Sequence, residues 1–256
     1  MIEKILFHRE FGGKKYPLII LHGLFGSSQN WISIARELST SYHVFAIDLR
    51  NHGNSFHSQI HNLDEMKKDI IIWLSNMNIK EAVFLGHSMG GLVSMKLALE
   101  NSKLVRKLIV ADIAPKTYHI SYENEFKTFF SDISKFSSRT EIDKFLEKTL
   151  PEKNQRQFIM TNIDRNENGY FWKINAKALQ NEDRTKWNSP VDLKFEKPSL
   201  FIKAEFSDFI SQDDFKIIAK YFIHSSIKKI NNANHWLHVS KKDDFLKMVK
   251  NFLQLN

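Results

Sequence analysis

The stretch Gly86-His87-Ser88-Met89-Gly90-Gly91 decides how this chain is read. It follows the apolar run Ala82, Val83, Phe84, Leu85 and opens the helical stretch Met89–Glu100. Glycines two residues either side of Ser88 permit a sharp, strained strand-to-helix turn that side chains would obstruct. Such a turn lifts the serine hydroxyl above a sheet, at the positive amino end of the following helix. G-x-S-x-G alone is a weak signal. With strand, elbow and helix in register it predicts a nucleophilic serine on an α/β fold.

Reading outward, continuous apolar runs recur at Pro17–Leu21, His43–Ile47, 82–85, 108–111 and 199–202, with a further run at 226–230. Runs without polar alternation suit a parallel sheet covered on both faces. Helical stretches at 28–39, 63–77, 89–100, 213–222 and 243–255 separate them. The alternation predicts a doubly wound, mostly parallel sheet. From Pro115 to Pro198 the rhythm breaks, and a βαβ unit needs only about 30 residues. The surplus carries apolar residues at helical spacing (Phe126, Phe129, Phe130; Ile142, Phe145, Leu146), then aromatics from Phe158 to Trp172, then Trp187. We read residues 115–190 as a helical cap inserted into a core of residues 1–114 and 191–256. It leaves the sheet at its carboxyl edge, where open α/β sheets bind ligands. Phe126, Phe130 and Trp172 either line an acyl channel or form ordinary core.

Acyl transfer also requires two backbone amides facing the developing oxyanion. The run Pro17–Leu21 ends in His22-Gly23-Leu24-Phe25-Gly26, a small-residue turn, so the amides of Leu24 and Met89 form the natural pair. His22 reads as a packing residue of that turn. The base expected after the last strand is His235, in Asn231-Asn232-Ala233-Asn234-His235-Trp236. His238 lacks the partners of a zinc site and reads as support for His235. For the acid, Asp112 and Asp208 each follow a strand, and either could orient the histidine. Phe25 and Trp236, next to the predicted oxyanion turn and base, are candidate pocket residues. The polar turn Asp48 to Ser55 reads as structural.

Composition narrows the class. There is no cysteine, so disulfides and thiolate catalysis are excluded. The net charge of +8 comes from lysines scattered among acidic residues. It reads as a solvated surface rather than a nucleic-acid stripe, and at most favours an anionic substrate. No apolar run approaches a membrane span, and residues 1–11 lack the core of a signal peptide. A cytoplasmic protein acting on a small molecule, with no cofactor, metal or nucleic acid, is the expectation.

His22 to Gly26, Asp48-Leu49-Arg50-Asn51-His52-Gly53-Asn54-Ser55, Gly86 to Gly91, Asp112 to Pro115 and His235-Trp236-Leu237-His238 together resemble the YbfF-type bacterial esterases of the α/β-hydrolase superfamily. The resemblance spans essentially the whole chain. Most of the superfamily places the acid at the position matching Ser207, whereas the YbfF-type pattern has serine there and aspartate after the preceding strand. The resemblance therefore implies Asp112, with Asp208 the alternative. It implies a serine carboxylesterase for short- to medium-chain esters, or an acyl-CoA thioesterase using the same triad. Related enzymes that open epoxides or cleave carbon–halogen bonds carry aspartate where this chain has Ser88. From another class, a non-catalytic ligand-binding protein on the same fold would be expected to lack part of this machinery.

Overall fold

In the computed structural model, which describes residues 5–187 and 192–254, strand and helix alternate from the first apolar run onward. The order is β1 (His8–Phe11), β2 (Pro17–Leu21), α1 (Ile32–Leu38), β3 (His43–Ile47), α2 (Leu63–Asn76), β4 (Ala82–His87), α3 (Met89–Glu100) and β5 (Val105–Ala111). Then come α4 (Glu123–Phe129), α5 (Arg139–Leu146), α6 (Lys153–Met160), β6 (Ile163–Asn166), β7 (Gly169–Trp172) and α7 (Ala176–Gln180). β8 (Ser199–Ala204), α8 (Asp214–Tyr221), β9 (Ser225–Ile230), α9 (Leu237–Ser240) and α10 (Lys242–Gln254) follow.

Seven strands form one sheet in the order β1-β3-β2-β4-β5-β8-β9. Every neighbouring pair is parallel except β1 with β3. The doubly wound expectation therefore holds. β1 escapes a search for apolar runs because three of its four residues are polar, which suits the edge of a sheet. Along each inner strand alternate residues feed opposite cores. Ile19, Leu21, Phe84 and Val110 face α2 and α3, while Leu18, Ile20, Val83 and Ile109 face α1 and α10. β4 is buried along its whole length and α3 over all but its last residue. The chain reverses its direction of travel across the sheet between β2 and β4, which opens a crevice at their carboxyl ends.

The stretch between β5 and β8 is not purely helical. Where a helix is expected, β6 and β7 form an antiparallel hairpin with Ile163 opposite Trp172. The Asn166 side chain accepts a bond from the Asn168 amide at 2.9 Å, closing a local turn, and Tyr170-Phe171-Trp172 is a run of β-favouring aromatics. This region has its own small cores, one built on Phe126, Phe129, Leu150, Ile159 and Leu179 and entered from below by Phe25. The expected boundary at residues 190 and 191 lies outside the described residues.

The turn after β3 is pinned by buried charge. Arg50 meets Asp69 of α2 through Nε (2.5 Å) and Nη2 (2.7 Å), and its Nη1 donates to Ile60 O at 3.0 Å. Asp48 accepts the Ser28 and Asn54 amides at 2.6 and 2.9 Å. These contacts make the segment from Asp48 to Ser55 a scaffold. Replacing Asp69 by alanine takes the bidentate partner from the buried Arg50 guanidinium and leaves it only the Glu65 carboxylate at 3.3 Å, and urea unfolding should register a loss of about 3 kcal/mol.

Candidate active site

Ser88 is held in a conformation that L-residues avoid, φ 50° and ψ −118°, at a typical cost of about 1–3 kcal/mol. The surroundings enforce it. A Cβ on Gly90 would lie 2.3 Å from Leu21 O, so the first turn of α3 presses against the end of β2 with no room for a side chain. The Ser88 amide donates to Ala111 O at 3.1 Å, and the Leu92 amide to Ser88 O at 3.0 Å. The Ser88 side chain makes no capping bond to α3, so its hydroxyl is not consumed by the helix terminus.

Asp112, at φ 50° directly after β5, is fully buried. Its Oδ1 accepts the Ala204 amide at 2.9 Å, while Oδ2 accepts the Ser207 hydroxyl and His235 Nδ1, the latter at 2.8 Å. With Nδ1 donating to the carboxylate, the neutral form of the ring presents its lone pair at Nε2. The His235 ring stacks on Phe209, with centroids 3.9 Å apart and planes 13° apart. Asp208 is exposed, and among the described residues no hydrogen bond joins it to His235. Ser207 and Phe209, which flank it, point into the site instead. Of the six non-glycine residues with positive φ, Phe25, Ser88 and Asp112 belong to this site, and the other three are asparagines, which tolerate that region.

The turn after β2 sits directly on the elbow: a Cβ on Gly23 would come within 2.8 Å of His87 Nδ1 and 3.2 Å of Ser88 Cβ. Leu24 and Met89 border the same cavity as Ser88. His22 Nδ1 donates to Gly23 O at 2.8 Å while its Nε2 accepts the Leu49 amide at 3.0 Å, so both ring nitrogens are spent on holding the turn. His52 does the same one layer out, accepting the Phe25 amide at 3.3 Å. His87 Nε2 donates to His235 O at 2.9 Å and thereby positions the loop of the base. His238 lies flat on Trp31, with centroids 4.2 Å apart.

Two cavities meet at Ser88. One of about 40 Å³ is bordered by Leu24, Met89, Leu92, Trp187 and Arg184. The other, about 250 Å³, is bordered by Phe25, Phe158, His235 and Trp236. Leu24, Ser88, Ile120, Tyr122 and Phe209 border both. Phe126, Phe130 and Trp172, considered for an acyl channel, border neither of these two cavities. Phe126 packs on Phe25, Trp172 packs on Phe129, and Phe130 is exposed. Sequence reasoning missed the contributions of His87, Phe209, Tyr122 and Arg184. Of these only His87 carried a signal, by standing next to the nucleophile position.

Comparison with known proteins agrees with this architecture. A family model described as the alpha/beta hydrolase fold matches residues 16–242. The chain is 36% identical to the sn-1-specific diacylglycerol lipase ABHD11 of Danio rerio over 252 residues, 94% of this chain and 80% of that protein. It is 29% identical to Esterase YbfF of Escherichia coli K12, covering 93% of this chain and 92% of the other. A solved structure of a marine microorganism esterase superposes with a TM-score of 0.93 at 35% identity, covering 98% of this chain and all of the other.

The histidines around the site carry a pH signature. Burial pulls the pKa of His238 and His61 down to about 3 from 6.5, and lowers those of His22, His52 and His87 as well. Below pH 6.5 the unfolded chain takes up protons that the folded chain refuses, so stability falls as pH drops below that value. For His238 the loss reaches about 2 kcal/mol at pH 5. His238 Nδ1 has no partner to lose. Urea unfolding of His238→Phe should therefore show the gap between pH 7.5 and pH 5 shrinking by about 2 kcal/mol.

Proposed function

This chain belongs to the α/β-hydrolase family and is an ester-hydrolysing enzyme, and from that premise we propose that it is a serine carboxylesterase for short- to medium-chain esters. The observation that carries the reading is the 2.8 Å contact of His235 Nδ1 with buried Asp112, beside a serine at a strained elbow. In this mechanism Ser88 Oγ attacks the ester carbonyl carbon while His235 Nε2 takes its proton. Asp112 keeps the ring in one tautomer and balances the imidazolium that forms. The amides of Leu24 and Met89 donate to the tetrahedral oxyanion. His235 returns the proton to the departing alkoxide. It then deprotonates the water that attacks the acyl-enzyme, and the acid leaves with Ser88 restored.

The leaving oxygen must lie within reach of His235, so the alcohol occupies the 250 Å³ cavity that His235 and Trp236 border. The acyl group then enters the 40 Å³ cavity beyond Met89. Residues 115–190 act as the cap over a core of residues 1–114 and 191–256. Tyr122 and Phe158 from that insertion border the space above Ser88, which supports this division.

A p-nitrophenyl ester series from acetyl to palmitoyl tests the reading, with Ser88→Ala as control. Activity should favour short acyl chains, and the substitution should lower kcat on the order of 10⁶-fold. A folded wild-type protein that cleaves none of these esters and whose Ser88 escapes fluorophosphonate labelling would refute it. For the acid, Asp112→Ala should lose activity on the order of 10⁴-fold, with Asp208→Ala close to wild type. The reverse result would transfer the role to Asp208.

A further inference from the structure

The smaller cavity beside Ser88 is unevenly lined. Leu24, Leu92, Ile113 and Trp187 make most of its wall apolar, yet Arg184 reaches it. Other arginines with little solvent contact are paired, Arg50 with Asp69 and Arg156 with Asp143. Arg184 is not. Among the described residues no carboxylate lies within 4 Å of it, and its one hydrogen bond runs from Nη1 to Leu179 O at 2.6 Å. Its guanidinium sits 5.4 Å from the ring centres of both Tyr122 and Phe126. Among the described residues Nε and Nη2 have no hydrogen-bond partner, and neither has the hydroxyl of Tyr122, a residue that borders both cavities.

Burial leaves a mark on both groups. It lowers the guanidinium's pKa from its usual value and pushes the Tyr122 phenol up to about 12, so at neutral pH the pair offers one cation and one neutral donor. Guanidinium donors not used within the protein are free to take a ligand's acceptor in the cavity that Arg184 borders. Tyr122 does not use them, because the guanidinium lies 5.4 Å from its ring centre and among the described residues no hydrogen bond joins the two.

We infer that Arg184 and Tyr122 form the specificity-determining end of the acyl pocket, and that the preferred acyl group is short and ends in a carboxylate. The substrate class is the half-ester of a short dicarboxylic acid, and hydrolysis consumes one water and releases the dicarboxylate, an alcohol and a proton. This inference rests on the esterase reading of Ser88. Size selects the ligand. At roughly 10–15 Å³ per water-sized group, 40 Å³ holds about three such groups, the size of one carboxylate, so the spacer that joins it to the ester carbonyl beside Ser88 is short. A long acyl chain does not fit. A planar carboxylate matches the guanidinium fork, with the phenol as a third donor.

The competing role for Arg184 is structural, tying the cap together through Leu179 O and the two rings. The test compares monoethyl succinate with ethyl 4-methylpentanoate, whose acyl group has the same shape without the charge, in wild type, Arg184→Met and Arg184→Lys. Wild type should favour the half-ester by about tenfold or more in kcat/KM, the worth of one charge-assisted hydrogen bond. Arg184→Met should collapse that ratio mainly through KM, and Arg184→Lys should keep part of it. A wild-type ratio at or below one, or the same ratio in all three proteins, overturns the proposal. If Arg184→Met does not fold, the ratio in Arg184→Lys decides. If wild type cleaves neither ester, the esterase reading fails, and calorimetry of monoethyl succinate with Ser88→Ala decides the anion subsite separately. Saturable binding that is weakened when Arg184→Lys is added upholds it, and no binding overturns it.

Discussion

The site depends on one close approach, the first turn of α3 against the carboxyl end of β2. Gly90 lies so near Leu21 O that a methyl group would collide with the backbone. That contact sets where α3 begins, and the start of α3 sets the strained backbone of Ser88. It also brings the turn after β2 over the elbow, so Leu24 and Met89 border one cavity with the serine. Strain of this size persists only where neighbours over-determine it. Here the backbone bonds of Ser88 to Ala111 and Leu92 do so. Because the interior is close-packed, the constraint passes to the elbow without slack.

Around this point the protein separates charge from neutral polarity. Asp112 is fully buried and takes donors from Ala204, Ser207 and His235. The layer beneath contains histidines that burial keeps neutral. His22, His52 and His87 each spend ring nitrogens on backbone groups of the loops that carry the reacting residues. A neutral imidazole suits that task, since it bonds to buried carbonyls and amides without the desolvation cost of a charged side chain. The price is sensitivity to acid.

The insertion between β5 and β8 gives the site its shape. Phe25, at positive φ on the turn after β2, projects into the small core of that insertion and meets Tyr122, Phe126 and Phe129. One residue of the core thus anchors the insertion beside the cavity that Ser88 borders. Tyr122 and Arg184, both supplied by the insertion, then border the space beside the serine. The cavity beside Ser88 is therefore built from two parts of the chain: the sheet ends carry Ser88, Asp112 and His235, and the insertion adds Tyr122 and Arg184.

Much of this was legible from local pattern. The elbow, the continuous apolar strands and helices such as Met89–Glu100 are short-range features, because a buried parallel strand and a Gly-flanked serine each need a particular run of neighbours. Ser88 and His235 stood out for the same reason, through their place at strand ends in the expected order. The choice between Asp112 and Asp208 did not follow from local pattern, since both end strands and four positions separate Asp208 from Ala204. Only the register of β5 beside β8, which delivers Ser207 rather than Asp208 toward Asp112, resolves which carboxylate meets His235. The hairpin from Ile163 to Trp172 replaced an expected helix because a turn bond at Asn166 outweighed an ambiguous aromatic spacing. Phe209 under His235 and Arg184 beside Ser88 carry no sequence signature, because each acts on a residue tens of positions away or more. Their roles arise from packing between distant segments, and that proximity is a property only the folded chain possesses.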